Sequence, residues 1–232
     1  MGLIPGTMIW PRGSNCPSLL REPRERFALV RGWLRALLTN LYTNMHYKFL
    51  LNRRVKPRPR LDFLRRRRLT RLAEELHHDM YTAFAAGDTA TLRSICADGL
   101  LANFQSRLAK RKPHERLTWT RGGKSTIVSH RSSILPFKDT HGGDTGVRQV
   151  VVRMVTRQRL SRSTMAGEEL EVYEGEPKDV VEYLVLQRRI WDGAEEPWLV
   201  WGFAEETSYS RYVQMKEEEK AMRRAGAART AS

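Results

Sequence analysis

The chain has 232 residues, 41% of them hydrophobic, and it carries a formal net charge of +15 with a pI near 10.4. This length favours one substantial core with extensions over two full domains, and the positive surplus indicates a polyanionic partner, either nucleic acid or an anionic membrane surface. The two cysteines, Cys16 and Cys96, exclude a disulfide scaffold and argue against a zinc-thiolate site.

The N-terminal residues 3–23 contain no pattern of a regular element. Proline and glycine recur through them, at Pro5, Gly6, Pro11, Gly13, Pro17 and Pro23. These residues prevent a continuous helix and predict an extended arm that needs a partner surface to become ordered. Glu22 and Glu25 are not typical of a mitochondrial presequence, so a presequence of an imported protein would precede this numbering.

A helical period begins at Glu25 and predicts an amphipathic helix. Its apolar stripe consists of Phe27, Val30, Leu34, Leu37, Leu38, Leu41, Met45 and Phe49. Arg31, Arg35 and Lys48 interrupt the segment, whereas a membrane span needs about 20 mostly apolar residues. The helix is expected to end before Pro57 and Pro59 in a basic linker.

Two further helices are predicted between this linker and Pro113. The apolar face of the second consists of Leu61, Leu64, Leu72, Leu76, Met80 and Phe84. Gly87 is expected to end it, and Asp88 to cap the third helix at its N-terminus. The apolar face of the third helix consists of Leu92, Ile95, Cys96, Leu100, Phe104 and Leu108.

The second half of the chain is rich in β-branched and aromatic residues, which indicates strands. The predicted strands are residues 117–120, 126–135, 147–160, 180–191 and 198–204. An acidic loop, residues 167–179, precedes the fourth strand, and residues 192–196 form a hairpin loop between the last two. Helices followed by strands predict an α+β fold, with N-terminal helices packed on a twisted antiparallel sheet.

The pattern divides the chain into three parts. Residues 1–60 are expected to form a long basic extension, with the Pro-rich arm, the amphipathic helix and the linker. Residues 61–206 form the α+β domain, and residues 207–232 form a charged helical or disordered tail.

A block of basic residues carries the clearest functional signal. It consists of Arg53, Arg54, Lys56, Arg58, Arg60, Arg65, Arg66, Arg67, Arg68 and Arg71, and only Asp62 opposes it. Four consecutive arginines point in all directions around a helix, so some must meet a partner other than a neighbouring acid. We predict that the block binds RNA phosphates, with an anionic lipid surface as the alternative.

Two other groups of residues do not predict a nucleotide-binding or metal site. Residues 122–126, Gly-Gly-Lys-Ser-Thr, resemble the end of a phosphate-binding loop, but Thr118 stands where the motif needs its first glycine. We interpret them as a hairpin turn. His77 and His78 are neighbours that diverge on a helix, so they do not form a metal site.

Two aromatic and acidic features have a structural and a functional interpretation. Glu205 and Glu206 could act as an acid and a base, but a solvated strand end is the more common role of such a pair. Trp191, Trp198 and Trp201 could form a base-stacking platform, but the strand pattern already requires large apolar groups there. We predict that these tryptophans contribute to packing.

Several phrases of the sequence resemble a known family. They are residues 81–88, Tyr-Thr-Ala-Phe-Ala-Ala-Gly-Asp, the apolar positions after them, and the strand sequences 181–189 and 198–203. Together they resemble the domain shared by subunit forty-four of the mitochondrial inner-membrane translocase and mitochondrial large-subunit ribosomal protein forty-five. The resemblance covers about residues 61–206 and rests on a pattern, not on an invariant motif.

The resemblance implies a half-open, cone-like sheet wrapped by helices, without catalytic residues. It also implies a location at the polypeptide exit, on the matrix face of the inner membrane and next to an insertase. Residues 3–11 resemble the arm that precedes this domain in fungal members of the ribosomal branch, which favours that branch.

Three functions remain open at this point. The first is a structural constituent of the mitochondrial large ribosomal subunit that binds rRNA and neighbouring mitoribosomal proteins and helps place the ribosome at the inner membrane. The second is a peripheral inner-membrane scaffold of the protein import motor. The third is a small enzyme, which would need convergent polar groups in an apolar pocket. The predicted strands do not show such groups, so we expect no catalysis, cofactor, metal or small-molecule substrate.

Overall fold

The computed structural model describes residues 2–50, 66–111, 116–138, 144–166, 169–174, 176–191 and 194–230. Its helices are α1 (Pro23–Leu50), α2 (Arg66–Ala86), α3 (Thr89–Ile95), α4 (Asp98–Ala109) and α5 (Tyr209–Thr230). Its strands are β1 (Arg116–Lys138), β2 (Asp144–Ala166), β3 (Glu169–Glu174), β4 (Lys178–Trp191), β5 (Ala194–Glu195) and β6 (Leu199–Ala204).

The described strands form one antiparallel sheet. Its order is β1, β2, β4 and β5, with β3 paired to β2 and β6 paired to β4. Four helices precede the sheet along the chain. The predicted α+β fold, with helices first and an antiparallel sheet second, is therefore confirmed.

The first strand corrects one prediction. Residues 117–120 and 126–135 belong to a single strand, and the turn expected within residues 122–126 is wrong. β1 pairs with β2 on both sides of Gly123. A Cβ atom at Gly123 would lie 1.9 Å from the carbonyl oxygen of Val155, so this glycine permits the close approach of two strands. Gly123, which suggested a turn in the sequence, therefore allows β1 and β2 to pair.

The two loops expected in the sheet contain short strands. The acidic segment 167–179 includes β3, because Leu170 and Val172 alternate with charged residues and an edge of β2 is available for pairing. The hairpin segment 192–196 includes β5, although residues 192–193 lie outside the described part of the chain.

The third predicted helix is two helices. Gly87 ends α2 with a φ of 76°, and the Asp88 side chain accepts hydrogen bonds from the backbone N–H groups of Ala90 and Thr91, as expected of an N-cap. The helix then breaks because the Ala97 N–H donates to the Val200 carbonyl at 2.8 Å. This contact with β6 replaces one helical hydrogen bond, and Cys96 and Ala97 have extended backbone between α3 and α4.

The main core lies between the helices and one face of the sheet, which we call the inner face. Buried side chains of α2, including Ala73 and Met80, pack against Val150, Val152 and Leu184. The intervening residues Val151, Tyr183 and Val185 point to the opposite, outer face, as the two-residue period of a strand requires.

The outer face is covered by the N-terminal arm. Ile9 packs on Val151 and Val185, and its backbone exchanges hydrogen bonds with Thr207. The Ile4 N–H donates to Gln149 at 2.7 Å. The expectation that the arm needs an external surface is therefore wrong for this segment, because the sheet itself supplies an apolar surface that local patterns in the arm do not reveal.

Candidate nucleic-acid interface

The basic block is described only at its C-terminal end. Arg66, Arg67, Arg68 and Arg71 lie in the first turns of α2. The remaining members of the predicted site, Arg53, Arg54, Lys56, Arg58, Arg60 and Arg65, lie outside the described residues.

The four described arginines have two different roles. Arg66 donates to the Ile127 carbonyl at 2.9 Å and thereby ties the start of α2 to β1. Arg67, Arg68 and Arg71 are exposed, and within the described ranges no carboxylate lies within 4.0 Å of them. This end of α2 can bind phosphate.

The second surface feature is the outward side of α1. Its large apolar residues are exposed, with Phe27 at 77% and Leu38 at 71%; the others are Leu34, Leu37, Leu41, Tyr42, Met45 and Phe49. These include most of the stripe that the sequence predicts. The sequence identified the stripe but not its orientation, which is toward solvent.

The inward side of α1 covers the free edge of β1. Asn44 donates to the His130 carbonyl at 2.7 Å and accepts from the Ser132 hydroxyl at 2.6 Å. Leu29 and Tyr47 are buried on the same side. A strand edge offers unpaired backbone groups, so it favours the side of the helix that carries Asn40 and Asn44 and leaves the apolar stripe outside. Asn40, Asn44 and Tyr47 are spaced at steps of four and three residues, so they lie on one side of the helix. This spacing was the sequence signal for the orientation.

A cationic cluster attaches the C-terminal end of α1 to the sheet. Glu195 binds Lys48, Arg148 and Arg188, with Arg188 Nη1 at 2.8 Å from the carboxylate. The guanidinium of Arg148 also lies over the rings of Tyr47 and Trp198. These side chains are engaged with one another, so the cluster stabilises the position of α1.

A partly buried polar network, which sequence reasoning missed, lies between α2 and the sheet. The Tyr81 hydroxyl and the Gln158 amide donate to Glu182 at 2.6 and 2.9 Å, and His77 Nε2 lies 3.0 Å from the same carboxylate. Burial acts to raise the pKa of Glu182, but these three contacts outweigh it and lower that pKa. Burial, with the Glu182 contact, raises the pKa of Tyr81. The carboxylate stays ionised and saturated with donors, which is a structural arrangement.

The remaining candidates from the sequence also have structural roles. Glu206 accepts from the Arg12 N–H, Asn15 and Tyr183, and so holds the arm beside β6. Trp201 packs in the outer-face cluster beside Ile9. Trp198 packs against the main core, so the packing prediction is confirmed for Trp198 and Trp201. It is not confirmed for Trp191, which is 37% exposed.

A groove of about 760 Å³ runs between the arm, α1, α5 and β6. Arg131 donates to the Gly6 carbonyl and to Asn40 at its base, and burial lowers the pKa of this guanidinium. Arg35 and Arg211 on its wall are paired with Glu219 and Glu218. The charges of the groove balance one another, so it does not form an anion site.

In the described part of the chain, no group of three His, Cys, Asp or Glu residues is placed to hold a metal ion. None of the helices described is both long and apolar enough to cross a membrane.

Comparison with known proteins extends these observations. A model of the Tim44-like domain matches residues 64–205. No curated protein matches the chain.

Proposed function

Because this match covers more than half of the chain, the protein belongs to the Tim44-like domain family, and we propose that it is a non-catalytic structural constituent of the mitochondrial large ribosomal subunit. Membership of the family indicates a mitochondrial protein associated with the inner membrane and of a scaffold type. The ribosomal role, rRNA binding near the polypeptide exit and a matrix location are the proposal.

The observation that carries the proposal is the group of exposed arginines at the start of α2. Arg67, Arg68 and Arg71 project without a carboxylate partner in the described part of the chain, from a helix end that Arg66 ties to the sheet. Arginine binds phosphate through two parallel hydrogen bonds, and a fixed helix end orders these donors before binding. The net charge of +15 extends the attraction beyond this contact.

The proposal assigns a task to each part of the chain. The extension of residues 1–60 and the neighbouring basic block would contact rRNA and adjacent mitoribosomal proteins. The domain of residues 61–206 would hold the subunit at the inner membrane, and residues 207–232 would form its tail.

Salt dependence of RNA binding tests the arginine surface. In the full chain, replacing Arg67, Arg68 and Arg71 by Gln should weaken binding to structured RNA and reduce the slope of log K against log salt, because each phosphate contact contributes roughly 0.7–0.9 to that slope. A matched variant with Arg93, Lys178 and Lys220 replaced by Gln loses the same charge from other surfaces. Equal slopes in the two variants would contradict the proposed RNA site.

Sedimentation tests the ribosomal assignment itself. Protein from mitochondria should sediment with the large ribosomal subunit at moderate salt and dissociate only at high salt. The second candidate, an import scaffold, is favoured by the exposed apolar side of α1, which suits docking to other proteins. Copurification with the import channel and its chaperone, in the absence of the large subunit, would establish this second function instead.

A further inference from the structure

The exposed side of α1 is the largest feature that the ribosomal proposal leaves unexplained. Soluble monomers rarely expose a continuous apolar patch of more than a few hundred Å², and such patches usually mark an interaction site. Phe27 to Phe49 extends over roughly 33 Å of helix. We propose that this surface, which we call the α1 seam, binds an amphipathic α-helix of a partner protein.

The spacing of the seam favours a helix as its occupant. Phe27, Val30, Leu34, Leu37 and Leu41 follow one another at alternating steps of three and four residues. This is the spacing with which one helix inserts side chains between those of another. Leu38, Met45 and Phe49 widen the same side toward the C-terminal end. The partner helix therefore presents its own apolar residues at three- and four-residue steps.

The charges beside the α1 seam indicate which residues should flank the apolar side of the partner helix, a part that we call its rim. Arg24 and Arg31 are exposed, and no carboxylate lies within 4.0 Å of either among the residues with described positions. Arg35 differs, because it is paired with Glu219 of α5 at 3.1 Å. The partner helix is expected to carry acidic residues opposite Arg24 and Arg31.

The same charges disfavour a second copy of this chain as the occupant. A second copy would repeat the positive charge, because Glu25 is the single acid of α1 while its basic residues are Arg24, Arg26, Arg31, Arg35 and Lys48. A different protein with an acidic rim avoids this conflict.

Site-specific photo-crosslinking in intact mitochondria tests the proposal. A photoreactive phenylalanine analogue is placed at Leu34, Leu38 or Leu41 of the full chain, and the adducts are identified by mass spectrometry. We expect adducts with one other protein, at attachment points separated by three or four residues along a single segment. A matched probe at Val181, which is exposed on β4, should not give these adducts.

A charge-reversal variant supplies the second measurement. Arg24→Glu with Arg31→Glu should lower the adduct yield at Leu38 about tenfold, which corresponds to about 1.4 kcal/mol, while the unfolding temperature stays unchanged because both side chains are exposed. Adducts with lipid, with the same chain or with a second copy would overturn the proposal. A yield no higher than at Val181 would overturn it as well. An unchanged yield in the charge-reversal variant would contradict the acidic residues expected opposite Arg24 and Arg31 on the partner helix.

Discussion

Glu182 is an ionised carboxylate inside the domain, and its surroundings explain why it can remain so. Burial disfavours the charge, whereas Tyr81, Gln158 and His77 stabilise it, and the net effect is a lowered pKa. A residue whose folded pKa is below its unfolded value stabilises the protein fully above the unfolded pKa. This stabilisation is lost as the pH falls from about 4.3, the ordinary glutamate value, through the folded pKa.

The contribution of Tyr81 to this network can be measured. Tyr81→Phe removes one donor, so the pKa of Glu182 should rise and the free energy of unfolding near pH 7 should fall by about 1.5–3 kcal/mol, the worth of a hydrogen bond to a charged group. Urea unfolding between pH 3 and pH 7 measures this change, and the difference from the unmodified protein should shrink at low pH. Glu205→Gln, at an exposed position, is the control and should leave the profile unchanged. An equal stability difference at every pH would exclude a role of Tyr81 in holding the charge.

At the scale of elements, α1 departs in part from the usual relation between polarity and burial. Its polar Asn44 is buried against β1, and its apolar Leu38 is exposed. The cause is the edge of β1, since a row of backbone groups is matched by amides and hydroxyls and not by leucines.

This departure predicts an unusual pair of substitutions. Asn44→Ala leaves the His130 carbonyl and the Ser132 hydroxyl without their partner, so we expect a loss of about 1–3 kcal/mol in the free energy of unfolding. Leu38→Ala removes an exposed side chain and should change it by less than about 0.5 kcal/mol. Thermal or urea unfolding of the purified variants measures both values. The opposite ranking would mean that the apolar side of α1, and not its polar side, faces the sheet.

At the scale of the whole molecule, the arm and the domain form one folded unit over the described residues. The sequence pattern suggests that a chain beginning at Leu61 folds normally and lacks only its binding extensions. Ile4, Met8 and Ile9 pack on the rest of the protein, so a chain without them is not expected to fold with normal stability. Poor association of the shortened chain with the large ribosomal subunit stays a prediction.

The shortened chain should therefore be destabilised as well as deficient in binding. Its unfolding free energy should fall by several kcal/mol, because truncating one buried isoleucine such as Ile9 typically costs about 2–5 kcal/mol. The uncovered outer face, with Val151 and Val185, should also bind a hydrophobic dye. A chain that lacks only the residues after Met222 is the control and should keep its stability. Equal stability of all three chains would show that the arm does not contribute to the fold.

The sequence by itself determined the features that depend on neighbouring residues. The helical period from Glu25, the cap at Asp88, the end at Gly87 and the alternation around Val150 all gave elements of the right type, because capping and side-chain direction are local properties. The exposed arginines of α2 were found for the same reason, since a run of one charge cannot neutralise itself.

Only the tertiary structure decided what depends on contacts between distant residues. It joined the two halves of β1 because Gly123 meets Val155, and it broke the third helix because Ala97 pairs with Val200. It also assembled the Glu182 network from residues of α2, β2 and β4, and turned the stripe of α1 outward. A stripe read from sequence has a period but no direction, and its direction depends on whether the surface beside it offers backbone groups or apolar side chains.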